Sequence, residues 1–274
     1  MRIVPITRGL GCLALVASFA WARAQDGPPK PDAEPGHWRD AAASYRITGD
    51  SGRPSPLTLR EEPVLKWTNP ERKADDGAVF LWLDRGRPEV AASFYRYKSD
   101  GLPFEDHEFV SLSPGPLSAR RDGEVVWALL EGNVRPEPIP GAPRPASTPA
   151  ERLRQIKALS REFRASYNNP PDLSEIRLLT QPIYRFETEG KRADILDGAL
   201  FAYVQTTDPE VLLAIEARAE AGGGPMAWHY SAARMSMVNL RVRHKDREVW
   251  SAVWDNDYRG PSKPYMVRSQ PSSP

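Results

Sequence analysis

The sequence has almost no cysteine: Cys12 is the only one in 274 residues. It lies in an N-terminal segment that we expect to be cleaved off, so the mature chain would have no thiol for a disulfide, for catalysis or for metal binding. A mature chain of about 250 residues can bury roughly 70–75% of its unfolded surface, so it does not need disulfides. We therefore expect packing to stabilise the protein.

The sequence also lacks an excess of charge of either sign, since 37 basic residues face 36 acidic ones. No basic patch stands out along the chain, which argues against a nucleic-acid partner. Long apolar runs are equally scarce. The one such run, residues 9–22, is shorter than the ~20 residues that a membrane-spanning helix needs, so we expect no stable membrane insertion.

The N-terminus has the features of a secretory signal peptide. Arg2 and Arg8 precede the apolar run, and small residues follow at Ala22 and Ala24. This pattern predicts a signal peptide over residues 1–24, removed after Ala24 or Ala22. Cys12 precedes most of the apolar stretch and is therefore not placed for lipid attachment. We expect export to the periplasm or the extracellular space.

Proline is abundant and methionine is rare, with 28 and five residues respectively. Because proline interrupts helices and central strands, this composition favours short strands and irregular connections. Several prolines fall in residues 132–148. We interpret this segment as an extended spacer that cannot join a sheet.

An internal duplication organises the mature chain. Residues 76–94 and 197–215 share seven identities in nineteen positions without a gap. PVLKW at 63–67 matches PIYRF at 182–186, and RRDGEVVWAL at 120–129 matches RHKDREVWSA at 243–252. Such self-similarity indicates two copies of one structural unit. We assign the copies to residues 55–131 and 174–256.

The predicted fold is mainly β (α+β), with two tandem related antiparallel β units joined by the proline-rich spacer and one amphipathic helix. The helix is predicted over 149–168, because Thr148 and Glu151 form a capping box before residues with helical spacing. Residues 25–54 form an N-terminal segment with a short helix around 38–45, and residues 257–274 an irregular tail. Residues 209–218 have helical propensity, but the duplication predicts a strand there.

Two histidines recur at similar places in the units, His107 after Asp106 and His229 between two aromatic residues. If the units brought them together, they could act with Asp106 as the acid–base groups of a hydrolase. Strand alternation opposes this, because it places Asp106 and Glu108 on the face opposite His107. Ser111 stands where a zincin needs its second histidine, and the sequence predicts no metal and no cofactor.

A pair of charged segments recurs as well, ERKADDG at 71–77 and EGKRADILDG at 189–198. Both end in Asp-Gly, which we interpret as a turn whose glycine has a positive φ. Exposed salt bridges contribute little stability, so stability alone hardly accounts for the repeated charges. The segments are either inherited neutral surface or a duplicated binding loop, with Lys73, Asp75, Arg192 and Asp194 as its ligand-binding residues.

Six tryptophans fall in or near predicted strands. Rings on strands are usually core, but a tryptophan face can also stack on a sugar or anchor a partner. The six are Trp67, Trp82, Trp127, Trp228, Trp250 and Trp254.

The segments DGAVFLWLDRGRPEVAASFYRY, EDHEFVSLSPGPLSA and EVWSAVWDN resemble a family of exported bacterial proteins of planctomycete type. The resemblance covers most of the mature chain and implies export, but no activity and no catalytic residues. From the residues, the leading hypothesis is a non-catalytic binding module for an envelope, glycan or protein ligand. The alternative is the hydrolase with Asp106, His107 and His229.

Overall fold

A computed structural model of the chain describes residues 36–50, 54–171, 173–188, 190–220, 223–254 and 256–272, except the side chains of Asp50 and Asp75. The predicted signal peptide, Cys12 and the start of the N-terminal segment lie outside the described residues. Within them, no helix is long and apolar enough to cross a membrane.

The fold is mainly β and antiparallel, as the sequence predicts. The first unit begins with a short helix and ends with a small hairpin. Its elements are α1 (His37–Ala43), β1 (Tyr45–Asp50), β2 (Pro54–Pro56), β3 (Thr58–Leu59), β4 (Leu65–Asn69), a 3-10 turn (Pro70–Arg72), β5 (Ala74–Asp84), β6 (Arg87–Ser99), β7 (Leu102–Ser111), β8 (Leu117–Arg121) and β9 (Glu124–Leu129).

The second unit follows a two-residue strand, β10 (Glu137–Pro138), and also has a helix, a strand after the helix, three long strands and a final hairpin, with fewer short elements between them. A last strand, β19 (Tyr265–Pro271), follows this unit. The elements of the second unit are α2 (Pro149–Ser160), β11 (Phe163–Tyr167), β12 (Glu175–Leu178), β13 (Tyr184–Arg185), β14 (Ile195–Gln205), β15 (Asp208–Ala219), β16 (Met226–Arg234), β17 (Leu240–His244) and β18 (Arg247–Ala252).

Strand pairing supports the duplication. Each unit has a meander of three long strands, β5–β6–β7 and β14–β15–β16, and a strand after its helix, β1 or β11, that pairs with the hairpin β8–β9 or β17–β18. Register shifts recur at matching places, around Asp75 and Leu196 and again after Trp82 and Tyr203. The predicted strand at 209–218 is confirmed as part of β15. Each unit is larger than we expected, because it includes its helix and the strand after it.

The repeated Asp-Gly pair lies inside a strand and not in a turn, so the expected positive φ is wrong. Gly77 and Gly198 are in β5 and β14, and a side chain there would overlap the ring of Trp67 or Phe186. The aspartates anchor the helices: Trp38 Nε1 of α1 donates to Asp76 at 2.8 Å, and Arg152 Nε of α2 donates to Asp197 at 2.9 Å. The close approach of the rings and the hydrogen bonds to the helices therefore explain why the Asp-Gly pair recurs in both units.

The two meanders pack face to face and share one apolar core. Val79, Leu81 and Val110 of the first meander belong to the same buried cluster as Leu200 and Leu212 of the second. The outer face of each meander is covered by its own helix and small hairpin, which gives two further clusters. Because the units share a core, they form one domain.

The segments that follow the units cross over to the other unit. β19 pairs with β7, and β10 pairs with β16, so each segment covers an edge of the opposite meander. The expected irregular tail at 257–274 is therefore wrong over Tyr265–Pro271. The spacer also joins a sheet, contrary to our expectation, because an edge strand does not need a backbone N–H from Pro138.

The helix of the second unit is shorter than predicted. α2 ends at Ser160, and Phe163–Tyr167 forms the central strand β11 instead of a further turn and a half of helix. Phe163 and Ala165 are buried and Arg164 is exposed, so the alternation of a strand suits this segment. Pairing with β12 and β17 overrides the helical spacing.

Gly198→Ala should destabilise the protein by about 1–3 kcal/mol, because the added methyl group must displace the packed Phe186 ring. Chemical unfolding of the purified variant measures this. Gly77→Ala should behave in the same way against Trp67.

A double-mutant cycle controls for the loss of glycine flexibility. In the Phe186→Ala background the ring is absent, so Gly198→Ala should cost much less than in the wild-type chain. Equal costs in the two backgrounds would show that the ring is not the reason for the glycine.

Candidate functional site

A cavity of about 360 Å³ opens where the two units and the C-terminal tail meet. The first unit contributes residues of β4 to β7 and the 3-10 turn, and the second contributes the start of β15 and the residues after β16 and β18. The tail contributes β19 and the residues before it. Its lining includes Trp67, Arg72, Ala74, Tyr95, Tyr97, Asp106, Glu108, Asp208, Met235, Ser236, Met237, Val238, Trp254, Tyr258, Arg259, Tyr265 and Ser269.

Two carboxyl groups of β7 face this cavity. Tyr95 Oη donates to Asp106 Oδ2 at 3.0 Å, and Tyr265 donates a short hydrogen bond to Glu108 Oε1. Burial raises the pKa of Glu108 well above its usual value and also raises the pKa of Asp106. Asp106 Oδ1 is buried and accepts no hydrogen bond from the described residues.

A second pair of carboxyl groups comes from the start of β15. Arg72 forms ion pairs with Asp208 at 3.2 Å and with Glu210 at 2.7 Å, and Asn69 Nδ2 donates to Asp208 at 2.9 Å. Burial and the neighbouring Glu210 raise the pKa of Asp208 to about 7. Arg72 is thus engaged by the second unit and links the two units at the cavity.

Aromatic rings form much of the remaining wall. Trp67 is buried and packs on Tyr95 at a centroid distance of 5.1 Å, and Tyr95 in turn contacts Tyr97 at 6.1 Å. Trp254 is 47% exposed and lines the same cavity. Arg259 lies over the Tyr258 ring at 5.4 Å. The cavity therefore offers flat apolar surfaces beside a cluster of carboxyl groups.

In the other half of the molecule, the residues equivalent to two of the cavity residues form a closed ion-pair network. By strand register, Asp208 corresponds to Arg87 and Tyr95 to Glu216. Arg87 is 2% exposed, and it contacts Glu216 and Glu89 at 3.0 Å each and Leu112 O at 3.1 Å. Burial alone would raise the pKa of Glu216, but Arg87 outweighs it and holds this pKa below its usual value. A closed ion-pair network thus stands where the cavity has Asp208 and Tyr95.

The structure does not bring His107 to Asp106. His107 lies on the opposite face of β7, in contact with Tyr45 Oη at 2.7 Å and with the ring of Phe94. Burial and the charge of Arg121 lower the pKa of His107 to about 4. This imidazole is therefore uncharged near neutral pH and packed in the core of the first unit.

His229 is not the counterpart of His107. Tyr95 pairs with Asp106, and Glu216 pairs with His229, so the register makes Asp106 the equivalent of His229. His107 corresponds instead to Tyr230. The sequence alignment is one residue out at this strand, and one residue reverses the face of the sheet. The imidazole of His229 contacts the Ala227 carbonyl oxygen at 3.1 Å, and it is not among the residues that line the cavity.

The charged segments have different roles in the two units. Arg192 is 12% exposed and bridges to Asp84 at 3.0 Å and to Asp194 at 2.7 Å, so it joins the second unit to the first. Lys73 is exposed and stands beside the cavity residue Arg72. The side chain of Asp75 lies outside what the structure describes. The four residues expected in a binding loop thus do not converge within the described part.

Among the described residues, no group of three or more histidine, cysteine, aspartate or glutamate side chains is arranged to hold a metal ion. Comparison with protein-family models, curated proteins and solved structures finds no match to the chain. The functional argument therefore rests on the cavity itself.

Sequence reasoning identified Asp106 and the alternation that turns Asp106 and Glu108 to one face. It missed Asp208 and Glu210 of the second unit and Tyr265 of the tail. The shared Pro-Glu-Val at 88–90 and 209–211 was a usable signal, because it places an acidic residue at the start of a buried strand in both units. Nothing in the sequence signals that Tyr265 lies beside Glu108.

The raised pKa of Asp208 makes stability depend on pH. Its pKa is above the unfolded value of 3.8, so the folded state binds more protons between about pH 4 and 7, and stability falls as pH rises through this range. The titration of Asp208 should therefore lower the free energy of unfolding at pH 8 relative to pH 5, against a smaller opposite contribution from His107, whose pKa is lowered from 6.5 to about 4. Urea unfolding at the two pH values measures the difference.

Asp208→Asn should reduce this difference, because asparagine keeps the acceptor for Asn69 but cannot ionise. Asp122→Asn, at an exposed turn, is the control and should leave the difference unchanged. If the free energy of unfolding fell equally between pH 5 and pH 8 in wild type and in Asp208→Asn, the pH dependence could not be assigned to Asp208.

Proposed function

We propose that the protein is an exported, non-catalytic binding module and that its ligand occupies the cavity between the two units. One observation carries this proposal: Asp106 lines a cavity with aromatic walls and has a buried oxygen to which no described residue donates a hydrogen bond. Pockets of 300–1,000 Å³ with apolar walls and a few convergent polar groups are typical ligand sites. An envelope, glycan or protein ligand is consistent with such a site.

The cavity is a better candidate than the charged loops. Arg192 and Asp194 pair with each other at 2.7 Å, and Arg192 also pairs with Asp84. These groups already satisfy one another across the units, so a ligand would have to displace them. Asp106 and Glu108, in contrast, form no ion pair among the described residues, and they accept hydrogen bonds from the hydroxyl groups of Tyr95 and Tyr265. Hydrogen bonding by Ser269 and the charge of Arg259 also act on Asp106 and partly offset the effect of burial on its pKa.

A hydrolase is the second candidate, but with different residues from the histidine pair. Asp106 and Glu108 lie two residues apart on one face of β7 and both have a raised pKa. A protonated carboxyl group can act as a general acid beside an ionised one. The position of the two carboxyl groups on one face of β7 thus favours Asp106 and Glu108 over His107 and His229 as the catalytic groups of a hydrolase.

Export is part of the proposal and is supported by the sequence of residues 1–24 and by the family resemblance. Expression of the full chain in a bacterial host should give a periplasmic or secreted product that begins at residue 25 or 23. Intact-mass measurement of the fractionated protein identifies the start. A full-length cytoplasmic product would contradict the signal peptide.

Blocking the cavity should abolish binding. Ser269 is exposed, lines the cavity and pairs with Asp106 in the sheet, so Ser269→Trp should fill the opening without disturbing the core. Saturation-transfer NMR of the mature protein with cellobiose, N,N′-diacetylchitobiose, benzylamine and benzyl alcohol measures binding. At least one compound should bind to wild type and not to Ser269→Trp.

Ser251→Trp is the matched control, because Ser251 is an exposed strand residue that does not line the cavity. It should bind as wild type does. Unchanged binding by Ser269→Trp would place the site elsewhere, and binding of none of the compounds would count against a cavity ligand. Recovery of a cleaved disaccharide would favour the hydrolase.

A further inference from the structure

We propose that the cavity binds an organic cation, with its ammonium group beside Asp106 and Glu108 and its apolar body against the aromatic wall. This inference rests on the proposed function, because it names the chemical class of the ligand for the same site.

The distribution of charge carries the first step. Arg72 is paired with Asp208 and Glu210, and Arg259 lies over the Tyr258 ring at the tail. Asp106 and Glu108 form no ion pair with the described residues. A buried carboxylate normally has a partner of opposite charge. The charge of Arg259 acts on Asp106 without forming an ion pair with it, so a cationic ligand could pair with these two carboxyl groups where the described residues do not.

Hydrogen-bonding capacity gives the second step. Asp106 Oδ2 and Glu108 Oε1 each accept from a tyrosine hydroxyl, while Asp106 Oδ1 has no donor among the described residues. A primary ammonium group has three donors and no acceptor. It therefore suits a site whose unsatisfied atom is an acceptor, and it brings no acceptor that would need a partner of its own.

The wall supplies the third step. Trp67, Tyr95 and Trp254 line the cavity, and of these Trp254 is exposed. Tryptophan and tyrosine faces attract cations within about 6 Å of the ring centroid. A cation with an apolar body of ring size would thus contact both the carboxyl groups and the rings.

The groups around the two carboxyls set the pH dependence. Burial raises the pKa of Asp106 and of Glu108, and a bound cation favours their charged form. Binding should therefore release protons and tighten as pH rises from 5 to 8, where a primary amine is still charged. The other charged and titratable groups that act on these two carboxyl groups are Arg72, Tyr95, Tyr97, Asp208, Glu210, Arg259 and Tyr265.

Benzylamine and benzyl alcohol form a matched pair of probes, since they share a ring and differ in charge. Titration of the mature protein by NMR, up to about 10 mM probe, should show benzylamine binding at least ~10-fold more tightly than benzyl alcohol at pH 8. Asp106→Asn should weaken benzylamine binding at least ~10-fold. The wild-type affinity for benzylamine should be lower at pH 5.

Asp122→Asn controls for the loss of one carboxyl group at a position far out in solvent, with its side chain 88% exposed, and should bind as wild type does. If Asp106→Asn does not fold, Glu108→Gln replaces it in the same comparison. Thermal unfolding of each variant separates loss of binding from loss of structure.

The outcomes separate this inference from the proposed function. Two results would overturn the inference of a cationic ligand and leave the proposal of a cavity ligand intact. One is equal affinity for benzylamine and benzyl alcohol, and the other is binding of a neutral disaccharide but not of benzylamine. Benzylamine binding that survives both Asp106→Asn and Ser269→Trp would overturn both proposals. Binding that is lost in both variants and tightens with pH supports both.

Discussion

The face-to-face contact between the two three-stranded meanders is the constraint on which the rest of the structure depends. A meander covered by a helix and a hairpin on one side still has an apolar second side, with Val79 and Leu81 in the first unit and Leu200 and Leu212 in the second. Burial of each such side chain stabilises the folded protein by about 1.5–3 kcal/mol. The second copy supplies the surface that buries them, so neither unit has a complete set of partners without the other.

The polar groups at this contact explain why the two halves differ. Burying a charge is costly unless it is paired, and both halves meet this condition with an arginine that reaches the opposite unit, Arg192 to Asp84 and Arg72 to Asp208. In one half Arg87 fills the remaining space and pairs with Glu216. In the other half the equivalent positions hold Asp208 and Tyr95. The shorter acidic side chain and the tyrosine do not form a closed network, and the cavity lies beside them.

Much of the fold could be predicted from the sequence, because the signals were local or repeated. The duplication identified the meanders and correctly favoured a strand at 209–218 over its helical propensity. The ends of elements were harder. α2 stops at Ser160 because Phe163 and Ala165 pair with strands that lie far away in the chain. The crossing strands β10 and β19 depend on the opposite unit, which no local pattern records. The site was missed for the same reason, since Glu108, Asp208 and Tyr265 meet only after the units pack. The interpretation of His107 and His229 as equivalent residues was wrong, because the sequence alignment was one residue out of register at this strand.

The cavity lies at the contact of the two units, so its residues come together only when the units are packed. At equivalent positions, the two halves of the chain hold the closed network in one place and the cavity in the other. The cavity takes Asp106 from the first unit, Asp208 from the second and Tyr265 from the tail. A ligand that contacts all three would stabilise the packed units relative to the separated ones, because it binds only when they are together. The interface that holds the fold together and the site that would recognise a ligand are thus parts of one surface, and a substitution at Arg72 would act on both.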